Sequence, residues 1–353
     1  MRCLAYALSL TACVQPLTTD SQGQPDPGKA DTDSPSTTEL DPTPGTYRQA
    51  CDGSGGVALD FDHFLAFADD DQVARVYTRG ADGPPALALD ITDAIGLQAS
   101  DEADLEDAAR VGDRIYVIAS HGRKKDGTLQ ASRYRFVALD VAGADLSVAG
   151  TTSELLRDLL SPASWDTPDA AVLDLLAAAS QLDQASVPEL APELAGTNIE
   201  GLAAVDGQLL IGFRNPQASS RALVVTLTNA DDVLATGAAA HFGRAIQLDL
   251  GGLGIRSMTW SPLLGAVLVI AGPHDGKGEF RLYRWSGAAD DPPVVMQDLP
   301  ATSTAHPEAV LAYPNTKDVQ ILYDAGDATI GGSSCKKAAL DDREFSDVIV
   351  HVD

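Results

Sequence analysis

Three glutamates stand at matching places in this chain, each one residue into an apolar hairpin: Glu106, Glu200 and Glu308. The hairpins are "LEDAARVGDRIYVIASHG" from Leu105, "IEGLAAVDGQLLIGFRNP" from Ile199 and "PEAVLAYPNTKDVQILYDAGD" from Pro307. In a fourth, "IRSMTWSPLLGAVLVIAGPHDG" from Ile255, Arg256 takes the corresponding place. The far ends of these hairpins carry His121, Arg214 with Asn215, His274 with Asp275, and Asp324, and Asp69 and Asp70 close a fifth. Carboxylate and amide oxygens suit a hard cation such as Ca2+. His121 or His274 would supply the proton shuttle of a hydrolytic site. The same groups could instead bond to one another, with Arg214 and Arg256 meeting buried carboxylates and pinning the fold. Both readings stay open at this level.

Something must bring residues so far apart in sequence to one place. The fifth hairpin, "SGGVALDFDHFLAFADDD" from Ser54, shares the pattern of a small-residue strand, a polar turn and a stronger apolar strand. Third strands follow: "QVARVYTRG", "RYRFVALDV", "RALVVTLTN", "FRLYRWSG" and, at the C-terminus, "FSDVIVHVD". Fourth strands are weaker, as in "PALALDI", "AIQLDLG" and "PVVMQDL". Three or four antiparallel strands recurring at a fixed interval specify an all-β fold, a β-propeller. Five blades is the simplest count.

One interval breaks the period. "TSELLRDLLSP" and "DAAVLDLLAAASQL" place apolar residues at helical spacing, which predicts a helical insertion around residues 152–185. A divergent sixth blade hidden there is the alternative. The last strand lacks a following partner, and "TYRQAC" before the first hairpin could supply it and close the ring. In a propeller the first strand of each blade lines the channel, and the second returns antiparallel. Strand entrances and exits then share one end, so the named acids, bases and histidines are expected round one channel mouth.

The N-terminus reads differently. "MRCLAYALSLTAC" has Arg2, a short apolar core and small residues before Cys13. Leu10-Thr11-Ala12-Cys13 resembles the lipobox of bacterial lipoproteins, which implies a signal peptide over residues 1–13 and lipid on Cys13. Val14 after the cysteine favours the outer membrane or cell surface. Residues 14–46 are rich in Pro, Thr, Ser and Asp and read as a disordered tether, leaving residues 47–353 as the propeller domain. No later stretch offers the roughly 20 consecutive apolar residues of a membrane helix, so membrane contact is expected only through the lipid. Cys51 and Cys335 remain, and an oxidising compartment would let them form one disulfide or leave two thiols. A formal net charge of −27 excludes nucleic acid and anionic lipid as partners.

"DLEDAARVGDRIYVIASHGR", "NIEGLAAVDGQLLIGFRNP", "RALVVTL", "LDLGGLGIRSM" and "VIAGPHDG" resemble the bacterial domain of unknown function family 3616, over about Ser54 to the C-terminus. That resemblance implies a propeller-like β domain and no established activity. More distantly, the Glu-Gly entrance is similar to propellers of the gluconolactonase and senescence-marker type, where such a glutamate holds a divalent metal, and to phytase-like esterases. Only Glu200-Gly201 matches that dipeptide. Searches for a Walker loop, GxSxG, HExxH and CxxC return nothing.

Two functions follow. One is a monomeric binding module of the cell envelope, taking a small molecule or an envelope protein. The other is a metal-assisted hydrolase of an ester, lactone or phosphate, with Glu106, Glu200 and Glu308 as metal ligands.

Overall fold

The computed structural model describes residues 38–143, 145–274 and 278–353. Five four-stranded antiparallel sheets form the blades of a β-propeller. The chain enters through β1 (Thr46–Arg48), then builds blade 1 from β2 (Gly55–Ala58), β3 (His63–Phe67), β4 (Val73–Thr78) and β5 (Leu87–Asp90). Blade 2 takes β6 (Leu105–Val111), β7 (Arg114–Ala119), β8 (Phe136–Ala142) and β9 (Asp145–Thr152). Helices α1 (Leu155–Leu159) and α2 (Ala170–Ser180) follow, before blade 3 is made by β10 (Asn198–Val205), β11 (Gln208–Asn215), β12 (Ala222–Leu227) and, after α3 (Ala230–Thr236), β13 (Phe242–Leu248). Blade 4 is β14 (Gly254–Ser261), β15 (Ala266–Gly272), β16 (Phe280–Trp285) and β17 (Val294–Leu299). Blade 5 combines β18 (His306–Ala312), β19 (Asp318–Asp324), β22 (Glu344–His351) and the first strand of the chain, β1; a small hairpin of β20 (Thr329–Ile330) and β21 (Ser333–Ser334) interrupts it.

The ring is closed by apolar layers between blades. Separate buried clusters fill the five blade-to-blade junctions, for example Leu65, Phe67, Ile115 and Val117 between blades 1 and 2, and Leu268, Ile270, Val310 and Ile321 between blades 4 and 5. The second strand of a blade is covered by a neighbouring blade on both sides, so it reads as a continuous apolar run such as AVLVIAG in β15. Inner strands carry small residues because the channel is narrow. A Cβ on Gly55 would lie 2.7 Å from the Asp107 Cα of the next blade.

Closure uses residues from both ends of the chain. Tyr47 of β1 is fully buried against Phe64, Tyr77 and Phe345, and its hydroxyl donates to Asp347 Oδ2 at 3.0 Å. Cys51 and Cys335 form a disulfide with a Cα separation of 5.7 Å, a few residues beyond that strand. Ordered packing begins before residue 47, where composition alone puts a tether. Leu40 is buried, and its N–H donates to Asp318 Oδ2 at 2.7 Å. One apolar side chain and a nearby carboxylate suffice to dock that stretch on blade 5. The leader and Cys13 lie outside the described residues.

The interval between blades 2 and 3 is helical, and blade 2 has its own fourth strand in β9, whose alternating half-exposed residues gave a weak sequence signal. No sixth blade is found among the described residues. Asp169 caps α2 by accepting from the Ala171 and Val172 N–H groups. At its other end, the buried Arg123 guanidinium donates to the Ser180, Gln181 and Gln184 carbonyls. That clamp ties the insertion to the loop after β7, and together they form one wall of the channel mouth. No described helix is long and apolar enough to cross a membrane.

Candidate functional site

Four blades share one backbone device. The pairing of first and second strands slips between Leu105 and Asp107, Ile199 and Gly201, Ile255 and Ser257, and Pro307 and Ala309. The residue at each slip is Glu106, Glu200, Arg256 or Glu308. A bulge leaves that residue without a cross-strand partner and turns its side chain out of the pleat. The next residue along completes an inner ring of Gly55, Asp107, Gly201, Ser257 and Ala309. Four of those five are small. The fifth, Asp107, is buried and its Oδ2 accepts from Leu202 N at 2.8 Å and Met258 N at 3.0 Å, joining blades 2, 3 and 4. Ser257 extends the link, its Oγ accepting from Val310 N of blade 5 at 3.1 Å.

Above this ring lies a cavity of about 1120 Å³ at the channel mouth. Glu106, Glu200, Arg214, Arg256, Glu308 and Asp324 all line it. Glu200 is 2% exposed; its Oε1 accepts from Asn198 Nδ2 at 2.6 Å and Arg214 Nη1 at 2.8 Å, and its Oε2 lies 3.0 Å from Arg256 Nε. Arg256 also holds Glu308 with a two-pronged contact, Nε to Oε2 at 3.0 Å and Nη2 to Oε1. Burial and the neighbouring Glu200 and Asp324 carboxylates push the Glu308 carboxyl upward against the pull of Arg256. The same two glutamates raise the Arg256 pKa and keep its guanidinium charged.

The other side of the mouth is acid-rich. Glu106 has neither a hydrogen bond nor an ion pair among the described residues. Burial, then the negative charges of Asp104, Glu200, Asp69 and Glu308, push its carboxyl well above the usual range. Asp104 is pushed up to about 6, chiefly by burial, although Arg133 Nη1 lies 3.0 Å from it. Asp52, Asp69 and Asp70 converge closely enough to share a cation, and Lys336 puts its ammonium there, bonded to Asp69 and 3.7 Å from Asp52 Oδ2.

Three residues expected at the mouth lie elsewhere. His121 is buried, with Nδ1 2.7 Å from the Ala119 carbonyl oxygen and its ring against Tyr134, and burial pushes it down to about 4, so it is neutral. Asn215 donates from Nδ2 to the Pro192 carbonyl at 2.8 Å. His274 is exposed and lines, with Asn215, an outer groove beside α2. The reason is register. Arg214 and Asp324 directly follow the strand partners of Ile199 and Pro307, whereas the partner of Leu105 is Ala119, so their counterpart in blade 2 is Ser120. His121 and Asn215 are one residue further, and one residue reverses the face. Asp275 lies outside the described residues.

Asp104, Asn198 and His306 line the mouth without having been singled out, as do Arg133 and Lys336. The first three had a signal: each stands two residues before an entrance glutamate. Arg133 and Lys336 come from loops and had none.

No curated protein matches this chain. Among solved structures, the crystal structure of Myxococcus xanthus glutaminyl cyclase is similar at 12% identity and a TM-score of 0.42, over 87% of this chain and 95% of that one. The Cps50 (Swd1) β-propeller domain from Myceliophteria thermophila is similar at 10% identity and a TM-score of 0.36, over 88% of this chain and 100% of that one. The family model described as Protein of unknown function (DUF3616) matches residues 166–330, and over that stretch, from the helical insertion into blade 5, the family resemblance read from the sequence is shown.

Proposed function

We propose that this chain is an exported, lipid-anchored propeller of the cell envelope that binds a small molecule at its channel mouth. The observation that carries this reading is the cavity of about 1120 Å³, lined by charged side chains that four backbone bulges deliver to the axis. That volume is on the scale of small-molecule sites, about 300–1000 Å³. Its charged lining calls for a polar ligand. The Cys51–Cys335 disulfide suits an oxidising compartment, and the leader and tether suit a protein held at a membrane by lipid on Cys13.

The hydrolase reading draws less support. Metal ligation by Glu106, Glu200 and Glu308 needs free carboxylates, and two of them carry arginines. His121 and His274, its proton shuttles, stand away from the cavity.

Calorimetric titration of the full chain in detergent, with a panel of amines, amino acids, sugars, carboxylates and phosphates, tests the site. A ligand binding more tightly than about 1 mM, and weakened by substitution of Asp69 or Glu106, is expected. A panel without such a ligand, or binding indifferent to both substitutions, would overturn it. For the anchor, Cys13→Ser is expected to abolish lipid labelling and release the chain from membranes; labelling that survives the change refutes it.

A further inference from the structure

We infer that the channel mouth selects a small organic cation bearing at least one primary ammonium group, seated on the acidic wall around Glu106. This deepens the small-molecule reading and rests on it. The wall is formed by Asp69, Asp104 and Glu106, with Asn198 and Glu200 at its border, all facing the one cavity.

Charge on the two sides of the mouth is met differently. Arg214 and Arg256 are matched by Glu200 and Glu308, and Arg133 by Glu102 and Asp104. Lys336 is matched by Asp69 and Asp52. Among the described residues, Glu106 is left over on this wall. The groups facing it are Asp104 and Asp69 on the acid side, Glu200 and Glu308 across the mouth, and the already engaged Arg133 and Arg256. An added cation that displaced the Glu106 proton would therefore find a carboxylate with no ion-pair partner among the described residues.

Hydrogen bonding points the same way. Asn198 is 4% exposed and lines the cavity; its Nδ2 is spent on Glu200, and its Oδ1 has no partner. That oxygen is an acceptor in need of a donor, and a primary ammonium brings three N–H groups. The unpaired donors nearby, Arg133 Nε, Arg214 Nε and Arg256 Nη1, belong to guanidinium groups whose charge is already met.

Two other cations fit less well. A divalent metal needs several carboxylate oxygens close together, and among the described residues one trio has that spacing, Asp52, Asp69 and Asp70, where Lys336 already puts an ammonium. A quaternary ammonium has no N–H and is held by aromatic faces. The aromatic ring lining this cavity, Phe280, is flanked by Arg256 at 6.0 Å and His306 at 5.7 Å. Lys336 shows the preferred geometry within the same molecule: a primary ammonium on an aspartate at the cavity wall.

Because burial makes the Glu106 and Asp104 carboxyls hold protons more tightly than free ones, an incoming ammonium must displace protons, and binding should strengthen as pH rises. The test is calorimetry on the full chain in detergent with 1,4-diaminobutane, and with CaCl2, tetramethylammonium and succinate as comparison probes. The diamine is expected to bind, with affinity about tenfold lower at pH 5 than at pH 8 and about tenfold lower in Glu106→Gln, a change of about 1.4 kcal/mol each. Heats measured in two buffers of different ionisation enthalpy should report proton release. Asp69→Asn gives a second, independent variant, and circular dichroism checks that each is folded. Equal diamine affinity in wild type and both folded variants, or no diamine binding, would overturn the inference. Calcium that binds and displaces the diamine would also overturn it, in favour of a metal site. Succinate binding that is lost in Arg214→Gln would overturn the cation but keep the mouth as a ligand site, which separates this failure from that of the broader reading.

Discussion

The two sides of the channel mouth use the same backbone bulge to different ends. Across blades 3, 4 and 5 the bulges deliver Glu200, Arg256 and Glu308, and these lock together with Arg214 into a buried network. In blade 2 the same bulge delivers Glu106 to a wall of other acids, with no ion pair of its own among the described residues. A buried ion pair contributes little net stability, but breaking it by removing one partner is costly. A half-buried acid set among other acids is costly from the start, and it keeps its proton to reduce that cost. The first side pins blades; the second keeps an acid protonated beside other acids. The difference lies in the neighbours, not in the strand geometry.

The sharpest way to break that comparison is Arg256→Ala. It would leave Glu200 and Glu308 buried without the guanidinium they share, at a cost of about 3–5 kcal/mol. Urea unfolding should show this loss; a change under about 1 kcal/mol would mean the network does not pin blades. Next comes the disulfide, which flanks the acid-rich side by fixing Asp52 and Lys336, the residues after Cys51 and Cys335. Cys51→Ser with Cys335→Ser should cost about 2–4 kcal/mol in the same assay, with the propeller's circular dichroism retained below the transition.

Glu106→Gln should behave in the opposite sense to Arg256→Ala. The folded-state pKa of Glu106 is raised, so the native protein holds a proton that the unfolded chain releases above its ordinary value of 4.5. Wild-type stability from this group is therefore fully present at acid pH and lost as pH rises through the folded value. Removing the acid should leave stability unchanged near pH 4 and raise it at pH 9, as read by unfolding at both pH values. A variant less stable than wild type at pH 9 would show that Glu106 has a cationic partner after all. The smallest effect is expected at His121, outside the mouth. Its pKa is lowered from 6.5 to about 4, so the contribution of the neutral ring is lost as pH falls through that window. His121→Gln should flatten the acid limb of the stability curve between those values.

Much of the fold was legible because it is local. The hairpins from Ser54, Leu105, Ile199, Ile255 and Pro307 carry period-two apolar patterns and polar turns, and all five are the inner pairs of blades. The closing strand was readable too, since a final strand without a partner needs one and "TYRQAC" supplied it. Strand β9 escaped because its burial alternates between half-exposed and exposed, so few strongly apolar residues mark it. The site was partly legible. Glu106, Glu200, Arg256 and Glu308 stand at matching positions, and equivalent positions in repeated blades meet at the axis. His121 and Asn215 failed because an exit residue's face depends on a register that a hairpin count fixes only to within one residue, and His274 because it lies two residues past Gly272, where its strand ends.

By itself the sequence determined the repeated blade, the place of the helical insertion and the arrival of acids and bases at one end of the channel, with five blades the simplest of two counts. All of these follow from short-range alternation repeated along the chain. Only the tertiary structure decided which charges meet. Arg256 reaches Glu200 in the preceding blade and Glu308 in the next, and Lys336 crosses the ring closure to Asp52 and Asp69. Those pairings depend on distances of a few ångströms between residues far apart in the chain, and on burial that removes water from between them. Periodicity carries no record of either, and for that reason Glu106 and Glu200, alike in sequence, differ in chemistry.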